Sequence, residues 1–511
     1  MISERLRQVA ARHRHELAIV DGSERITFGD LLERINAARE WLRGELHLSP
    51  GDVIAIALDN SWPFVACCFA VSELGGVSLL CNPQWRAAEL AVLAERVAFR
   101  AAIVEPRLAA EWNRALDPIP NSRVLTADSV PAEGQPDRPI QPASEDAPVI
   151  YLSTSGSTGL PRIVPRSHRN LTANARNVTS TLDIGSGHRF LCIVPFHYSN
   201  GLNNSLLLPL LNGAVMVMLR RFTPSACADL IHREQVNTLI GSPFIYGSLA
   251  ASVGDASLLS SLKHCFTAGG RIPASVVETW RARFGISIRQ LYGMSEAGVI
   301  AIERPDPAQA SSLDPLSPDA SSPDASSPDA ASPDALIGSP IFGVEVVILG
   351  PDGQTLQPGE IGELAVRSDG LLSGYLGEPE PSRGLFLNGF FRTGDLGCFD
   401  AAGNLRLNGR MGRVMNIAGV KVHPAEIERV VEMLPSIAAC HVDTVPNGSG
   451  GEMIRARVVP GPGAQVTRRE VVEHCRRHLA EYKLPRTIEF LESSPVTIGG
   501  KIPRSGPSPA I

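Results

Sequence analysis

The sequence predicts an α/β protein with a large N-terminal domain over residues 1–409 and a small α+β domain over residues 410–511. Two doubly wound α/β subdomains and a β-rich, barrel-like subdomain make up the large domain. Three observations predict this. Short apolar strands alternate with helix-period stretches before residue 300. From Gly343 the texture changes to short strands between Gly-rich turns. After Arg410 the order becomes helix, strand, strand, helix, strand.

In chain order, residues 2–10 carry apolar positions (Ile2, Leu6, Val9, Ala10) at helical spacing. Residues 17–31 read as a hairpin about Asp21 and Gly22, then a helix capped near Thr27. Strands are predicted over 53–58, 77–81 and 101–104, with a helix over 62–74. Residues 127–148, rich in Pro, Asp and Glu, connect to a second alternating run. Its strands are 190–194, 214–218, 238–240, 266–268 and 286–291, and its helices 202–211 and 224–234. The β-rich part should hold strands at 344–349, 362–367, 374–376, 390–393 and 404–407. The last domain should hold helices at 424–434 and 468–479 and strands at 439–444, 452–459 and 487–491. Between these parts, residues 316–335 repeat a five-residue Ser/Pro/Asp/Ala unit. Such a composition buries no core, so a disordered loop is expected over 308–336, with a docking or modification segment as the alternative.

Bulk properties exclude some functions. The net charge of -6 rests on 47 cations and 53 anions with no Lys/Arg-rich run, which argues against a nucleic-acid partner. Nine scattered cysteines, odd in number and without a C-x-x-C pair, fit buried free thiols in a reducing compartment. The N-terminus lacks the apolar core of a signal peptide. The longest apolar stretch, 206–219, is broken by Pro209, Asn212 and Gly213, so no membrane span is expected. The expected location is the cytoplasm.

One stretch, residues 151–164, reads Y-L-S-T-S-G-S-T-G-L-P-R-I-V. A strand stops at a loop of small hydroxyl residues and glycines, and a cation follows. Such a loop offers N–H and O–H donors with no bulky side chain in the way, and so can wrap a phosphate, with ATP the first candidate. It is neither G-x-x-x-x-G-K-[ST] nor G-x-G-x-x-G, and by itself the composition also describes an ordinary loop.

Five other stretches accompany it: V-P-F-H-Y-S-N-G from Val194, Q-L-Y-G-M-S-E-A-G from Gln290, F-R-T-G-D-L from Phe391, G-R-M-G-R-V-M-N-I-A-G-V-K-V-H-P-A-E-I-E from Gly409, and P-V-T-I-G-G-K-I-P-R from Pro495. In identity, order and spacing the set resembles the AMP-forming adenylating superfamily, over residues 17–504. That superfamily includes acyl- and aryl-CoA synthetases, peptide-synthetase adenylation domains and firefly luciferase.

The resemblance implies an enzyme that activates a carboxylic acid with ATP to an acyl-adenylate, releasing pyrophosphate. A thiol, either CoA or the phosphopantetheine of a separate carrier protein, then takes the acyl group. It implies that Thr154, Ser155, Gly156, Ser157, Thr158, Gly159 and Arg162 form the phosphate loop. Tyr292 would stack on adenine, with Gly293 leaving room for the base. Asp395 and Arg410 would hold the ribose hydroxyls. Glu296 would bind Mg²⁺, a hard cation that takes carboxylate and phosphate oxygens. Ser295 would touch the α-phosphate. Lys501 would neutralise charge as the carboxylate attacks phosphorus. The small domain would swing between a pose presenting Lys501 and a pose presenting the loop about Gly419.

The chain departs from the family pattern at four positions. Arg162 stands where Lys is usual, Ile163 where Gly is usual, Ser295 where Thr is frequent, and Gly412 at the hinge where Asp or Lys is usual. In amino-acid-activating members an Asp follows the Phe at position 196 and pairs with the substrate ammonium. Here His197 follows, which favours a plain carboxylic acid and would gate the acyl pocket; the bland alternative is a structural histidine at a strand end. Tyr198, Asn200, Asn203, the 241–244 turn, Ala268, Gly269, Gly270 and Met294 are candidate pocket residues, which suits an aryl, modified or medium-length acid.

Two rival readings stay open in the residues. Gly293-Met294-Ser295-Glu296-Ala297 approximates the hydrolase nucleophile elbow, with Asp395 and His423 following in hydrolase order. The chain could also be a catalytically silent nucleotide binder. Neither the acid, the acceptor nor the oligomeric state is legible.

Overall fold

The computed structural model describes residues 1–99, 101–117, 122–133, 144–155, 161–270, 272, 274–304, 336–377, 384–410, 415–422, 424–447, 451–461 and 464–491. The repeat at 316–335, the hinge position Gly412, His423 and Lys501 lie outside these residues. The expected disordered loop does too, except Leu336, which opens a strand.

Two compact units form. The first comprises Met1–Pro83, Ala98–Ser153 and Ile163–Gly412. It contains two sheets. One has six strands, four of which are Arg123–Thr126, Ala101–Val104, Val53–Ala57 and Val77–Leu80, paired in parallel in that order. Val53–Ala57 is buried at every position. A strand covered on both faces needs an unbroken apolar run, and V-I-A-I-A supplies it. Pro148–Ser155 pairs in parallel with Val77–Leu80.

The second sheet has fourteen strands. Its parallel half places Val215–Met218, Arg189–Cys192, Thr238–Gly241, His264–Thr267 and Ile288–Met294 side by side. At Met294 the chain turns back, and Gly298–Ile302 pairs antiparallel with Ile288–Met294. From there the ladder is antiparallel through Leu336–Pro340, Leu405–Arg410, Phe390–Phe399, Gly362–Ser368 and Val344–Leu349. The β-rich part thus continues the parallel half along one sheet. The residues 294–298 turn lies where parallel pairing becomes antiparallel.

Helix starts follow local chemistry. Thr27 caps Phe28–Leu46: its Oγ1 accepts from the Asp30 N–H at 3.1 Å while Asp30 Oδ2 accepts from the Thr27 N–H at 3.0 Å. Ser167 and Asn170 form the same reciprocal cap on His168–Leu182, a helix the sequence reading did not place. The expected helix over 202–211 is instead a π-helix, Gly201–Leu207, followed by a single α-turn, Leu208–Leu210. Residues 374–376, expected as a strand, belong to an irregular loop. Gly374 in that segment and Gly377 just past it remove side chains that a strand would pack.

The second unit comprises Gln84–Val97, Thr154–Arg162 and Arg413–Ile511. Ile437–Pro446, Glu452–Pro460 and Thr487–Phe490 form a three-stranded sheet. Val430, Val431, Val442, Ile454, Val458 and Val471 are among the residues of its core. Met415–Ile417 and Val420–Val422 form a hairpin turned by Ala418 and Gly419, both at positive φ (51° and 90°). Glycine takes that conformation freely, which suits position 419. In the same unit Lys483 Nζ lies 2.7 Å from Glu89 Oε1 and 2.6 Å from Glu426 Oε1, tying the Ala87–Arg96 helix to the Pro424–Glu432 helix.

Candidate active site

The parallel strands of the large sheet end in a row of turns, the usual place for ligands in open α/β sheets. Residues 195–201 follow one strand, Gly241 ends another, and Gly269 and Gly270 follow a third. Gly269 has φ +82°, in the left-handed region. Gln290 on the next strand donates its Nε2 to the carbonyls of Thr267 and Gly270, each at 3.2 Å, and so fixes that turn.

His197 is set by its neighbours. Asn60 donates to the Val194 carbonyl at 3.0 Å and accepts the Phe196 N–H at 2.9 Å. Phe196 packs edge-on against Phe64, with ring centroids 5.3 Å apart. Gly201 must be glycine, because a Cβ there would lie 2.0 Å from the Pro195 carbonyl oxygen. The imidazole rests against Tyr198, with centroids 4.2 Å apart, and its Nε2 is buried without a hydrogen-bond partner among the described residues. Burial pushes its pKa down to about 3, so the ring is neutral at physiological pH.

At the junction of the parallel and antiparallel halves, Tyr292, Gly293, Ser295, Glu296 and Asp395 come together. Tyr292 donates its hydroxyl to Asp395 Oδ2 at 2.6 Å, with both residues buried. The Asp395 N–H donates to Thr393 Oγ1 at 3.1 Å. Asp395 and Arg410 are cross-strand partners in register. Gly293 carries a local demand of its own: a Cβ would meet the Gly298 carbonyl oxygen at 2.4 Å inside the hairpin.

Glu296 is 9% exposed and receives the Tyr375 hydroxyl on Oε1 at 2.9 Å. Its Oε2 has no partner among the described residues. Its backbone carbonyl accepts the Leu372 N–H at 2.8 Å. A buried carboxylate with one oxygen left unbonded by the described residues is a ligand a hard cation accepts, so the donor fits Mg²⁺. Among the described residues no group of three His, Cys, Asp or Glu side chains could hold a metal alone, and a Mg²⁺ here would share phosphate and water oxygens.

Ser295 does not lie on a nucleophile elbow. A strand, Gly298–Ile302, follows it where an elbow requires a helix, so the hydrolase reading fails on geometry.

In the other unit, Thr154 donates its hydroxyl to the Arg162 carbonyl at 3.4 Å. Ser155 ends its strand. Gly156, Ser157, Thr158 and Gly159 lie outside the described residues, as do the side chains of Ser155 and Arg410. Gly419 receives Asn416 Oδ1 on its N–H at 3.0 Å.

Arg166, Asn170 and Tyr375 join the site without having been singled out from sequence. Tyr375 sits in a Gly-rich segment read as a strand. Arg166 is a lone cation between apolar residues and a helix start, and that was the only signal it offered.

This fold, with its motif-bearing turns, defines an adenylate-forming ligase. The AMP-binding enzyme model matches residues 6–376 and the AMP-binding enzyme C-terminal domain matches residues 426–501. The chain belongs to the AMP-binding enzyme family. It is an AMP-forming acid–thiol ligase, which makes an acyl-adenylate and pyrophosphate from a carboxylic acid and ATP and then transfers the acyl group to a thiol. The family's ligases use ATP and CoA.

The chain is 30% identical over 492 residues to a feruloyl-CoA synthase of Amycolatopsis sp, covering 96% of this chain and 94% of that protein. It is 30% identical over 502 residues to a sulfoacetate–CoA ligase of Cupriavidus necator, covering 95% and 92%. Among solved structures, the amide bond synthetase McbA from Marinactinospora thermotolerans superposes with TM-score 0.84 at 28% identity, covering 98% and 97%. The o-succinylbenzoate CoA synthetase of Bacillus subtilis shares the fold, with TM-score 0.85 at 24% identity and coverage of 98% and 97%. No helix among the described residues is long and apolar enough to cross a membrane.

Proposed function

We propose that the Tyr292–Glu296 segment and Asp395 form the nucleotide and metal site of this ligase. The observation that carries the reading is the pairing of Tyr292 with Asp395 next to a carboxylate, Glu296, whose Oε2 has no partner among the described residues. Tyr292 stacks on adenine, Asp395 and Arg410 hold the ribose, and Ser295 meets the α-phosphate. Glu296 holds Mg²⁺, whose chemistry is to neutralise phosphate charge. Thr154, Ser155, Gly156, Ser157, Thr158, Gly159 and Arg162 hold the β- and γ-phosphates, and Gly269 and Gly270 line the nucleotide side of the pocket. Lys501 acts in adenylate formation and the loop at Gly419 in thioester formation, with Gly412 as the hinge. The large domain then spans residues 1–409 and the mobile domain residues 410–511.

The acid is an aryl, modified or medium-length carboxylic acid with no α-ammonium group. A neutral His197 offers no negative charge to pair with an ammonium. Relatives named feruloyl-CoA synthase and sulfoacetate–CoA ligase support a non-amino-acid substrate. CoA is the proposed acceptor and a carrier protein in trans the alternative. Nine free cysteines support a reducing, cytoplasmic setting.

The test is pyrophosphate release over aryl, fatty, short and amino acids, repeated with CoA and with a phosphopantetheinylated carrier. The reading requires turnover of at least one non-amino acid and a thioester product with CoA. Turnover confined to amino acids would overturn the substrate reading.

A further inference from the structure

Arg166 lies on the Pro161–Ser167 strand and its side chain is completely buried. Among the described residues its guanidinium makes no carboxylate hydrogen bond. Nη1 donates to the Ser295 carbonyl and Nη2 to the Gly370 carbonyl, the latter at 2.7 Å. Nε is buried without a partner among the described residues. Taking a cation out of water is costly unless the site repays it. Burial lowers its pKa to about 10 and the Glu296 charge opposes that shift, so the group stays cationic at neutral pH.

The Gly370 loop is gripped from a second residue on the same strand–helix joint. Asn170 uses Oδ1 for the helix cap and Nδ2 for the carbonyls of Asp369 at 2.9 Å and Leu371 at 2.7 Å. Three consecutive carbonyls, 369 to 371, are therefore held by two side chains four residues apart. The Leu372 N–H bonds the Glu296 carbonyl, and a Cβ on Gly370 would sit 2.9 Å from the Ala297 carbonyl oxygen. Three residues past Leu372, Tyr375 reaches Glu296 Oε1.

We infer that Arg166 is a positioning residue for Glu296: with Asn170 it braces the 368–372 loop beneath the Ser295–Glu296 turn, and the braced loop delivers the Tyr375 hydroxyl to the carboxylate. A guanidinium suits the task because its planar fork can span two carbonyls, whereas a lysine presents a single point donor. The Glu296 charge nearby offsets part of the desolvation. The inference rests on the reading of Glu296 as the Mg²⁺ ligand.

The experiment compares ATP affinity with and without Mg²⁺ by equilibrium titration of the full chain, for wild type, Glu296→Gln, Arg166→Met, Arg166→Lys and Tyr375→Phe. The Mg²⁺ gain is the ratio of the two affinities. A merely structural defect lowers both affinities and leaves the ratio alone. The inference expects Arg166→Met and Tyr375→Phe to cut the ratio about tenfold, the size of one charge-assisted hydrogen bond, with Arg166→Lys between them and wild type. Should Arg166→Met not fold, Tyr375→Phe, which removes one oxygen, carries the test. A wild-type ratio in the Arg166 and Tyr375 variants, with the ratio lost in Glu296→Gln, overturns the inference and leaves the metal reading standing. A wild-type ratio in Glu296→Gln overturns the metal reading, and the inference with it.

Discussion

Tyr292 and Asp395, 103 positions apart, are joined by a 2.6 Å hydrogen bond from the tyrosine hydroxyl to Oδ2. The two residues come from opposite sides of the place where the large sheet changes from parallel to antiparallel pairing. The bond holds the phenol ring against the strand that carries the carboxylate. Tyr292→Phe should keep the ring and lose this tether. The expected result is a KM for ATP raised about 3–10-fold with kcat changed less, since a neutral tether acts on binding rather than on the transition state alone. Steady-state kinetics with varied ATP checks it.

Gly293→Ala should destabilise the protein. The added Cβ meets a backbone carbonyl at 2.4 Å, and backbone cannot swing aside as a side-chain tip can. A cost of about 1–3 kcal/mol is expected, read as a lower denaturation midpoint. An unchanged midpoint would mean that the hairpin at 294–298 relaxes freely.

Acidification should destabilise the fold before the carboxylates titrate. Burial pushes His168 and His264 down to about 4 and His197 down to about 3, from 6.5. A pKa depressed in the folded state means that stability is whole above pH 6.5 and drains as pH falls from there towards 3–4. Each histidine contributes a slope of up to about 1.4 kcal/mol per pH unit. Glu73 and Glu89, whose carboxyls burial pushes upward, work in the opposite direction. The check is therefore a comparison of slopes: the melting temperature of His197→Asn should fall less steeply between pH 6.5 and 5 than that of wild type.

Gly412→Pro should leave acyl-adenylate formation detectable and block thioester formation, because proline fixes the φ that a hinge must change. Separate assays of pyrophosphate release and CoA thioester formation check it. Equal loss of both half-reactions, or loss of neither, contradicts the hinge assignment.

Much of the fold was legible because its strands are written plainly. V-I-A-I-A at residues 53–57 can only be a strand buried on both faces, and V-I-A-I at 299–302 already argued against a helix after Ser295. The π-helix at Gly201–Leu207 was not legible, since an apolar run has no period that separates a π-helix from an α-helix. The polar His168–Leu182 helix was missed because its apolar face is diluted by Asn and Thr. Of the candidate site, the motif residues of the 290–296 segment and Asp395 stood out in the sequence by order and spacing. Arg166 was not: its partners are backbone carbonyls 129 and 204 positions away, and a carbonyl leaves no signature in a sequence. Tyr375 was hidden in a segment whose glycines and apolar pair mimicked a short strand.

Asp395 and the Tyr292–Glu296 segment are proposed as the nucleotide site of an adenylating enzyme. Acid-dependent exchange of labelled pyrophosphate into ATP, measured without CoA, isolates that first half-reaction. Wild type should exchange label once a competent acid is present. Asp395→Ala should lose at least about 100-fold in kcat/KM for ATP, on the order of two lost hydrogen bonds to a buried carboxylate. Its circular dichroism spectrum should match wild type. Exchange by Asp395→Ala with the wild-type KM for ATP would contradict the assignment of Asp395 to the nucleotide site.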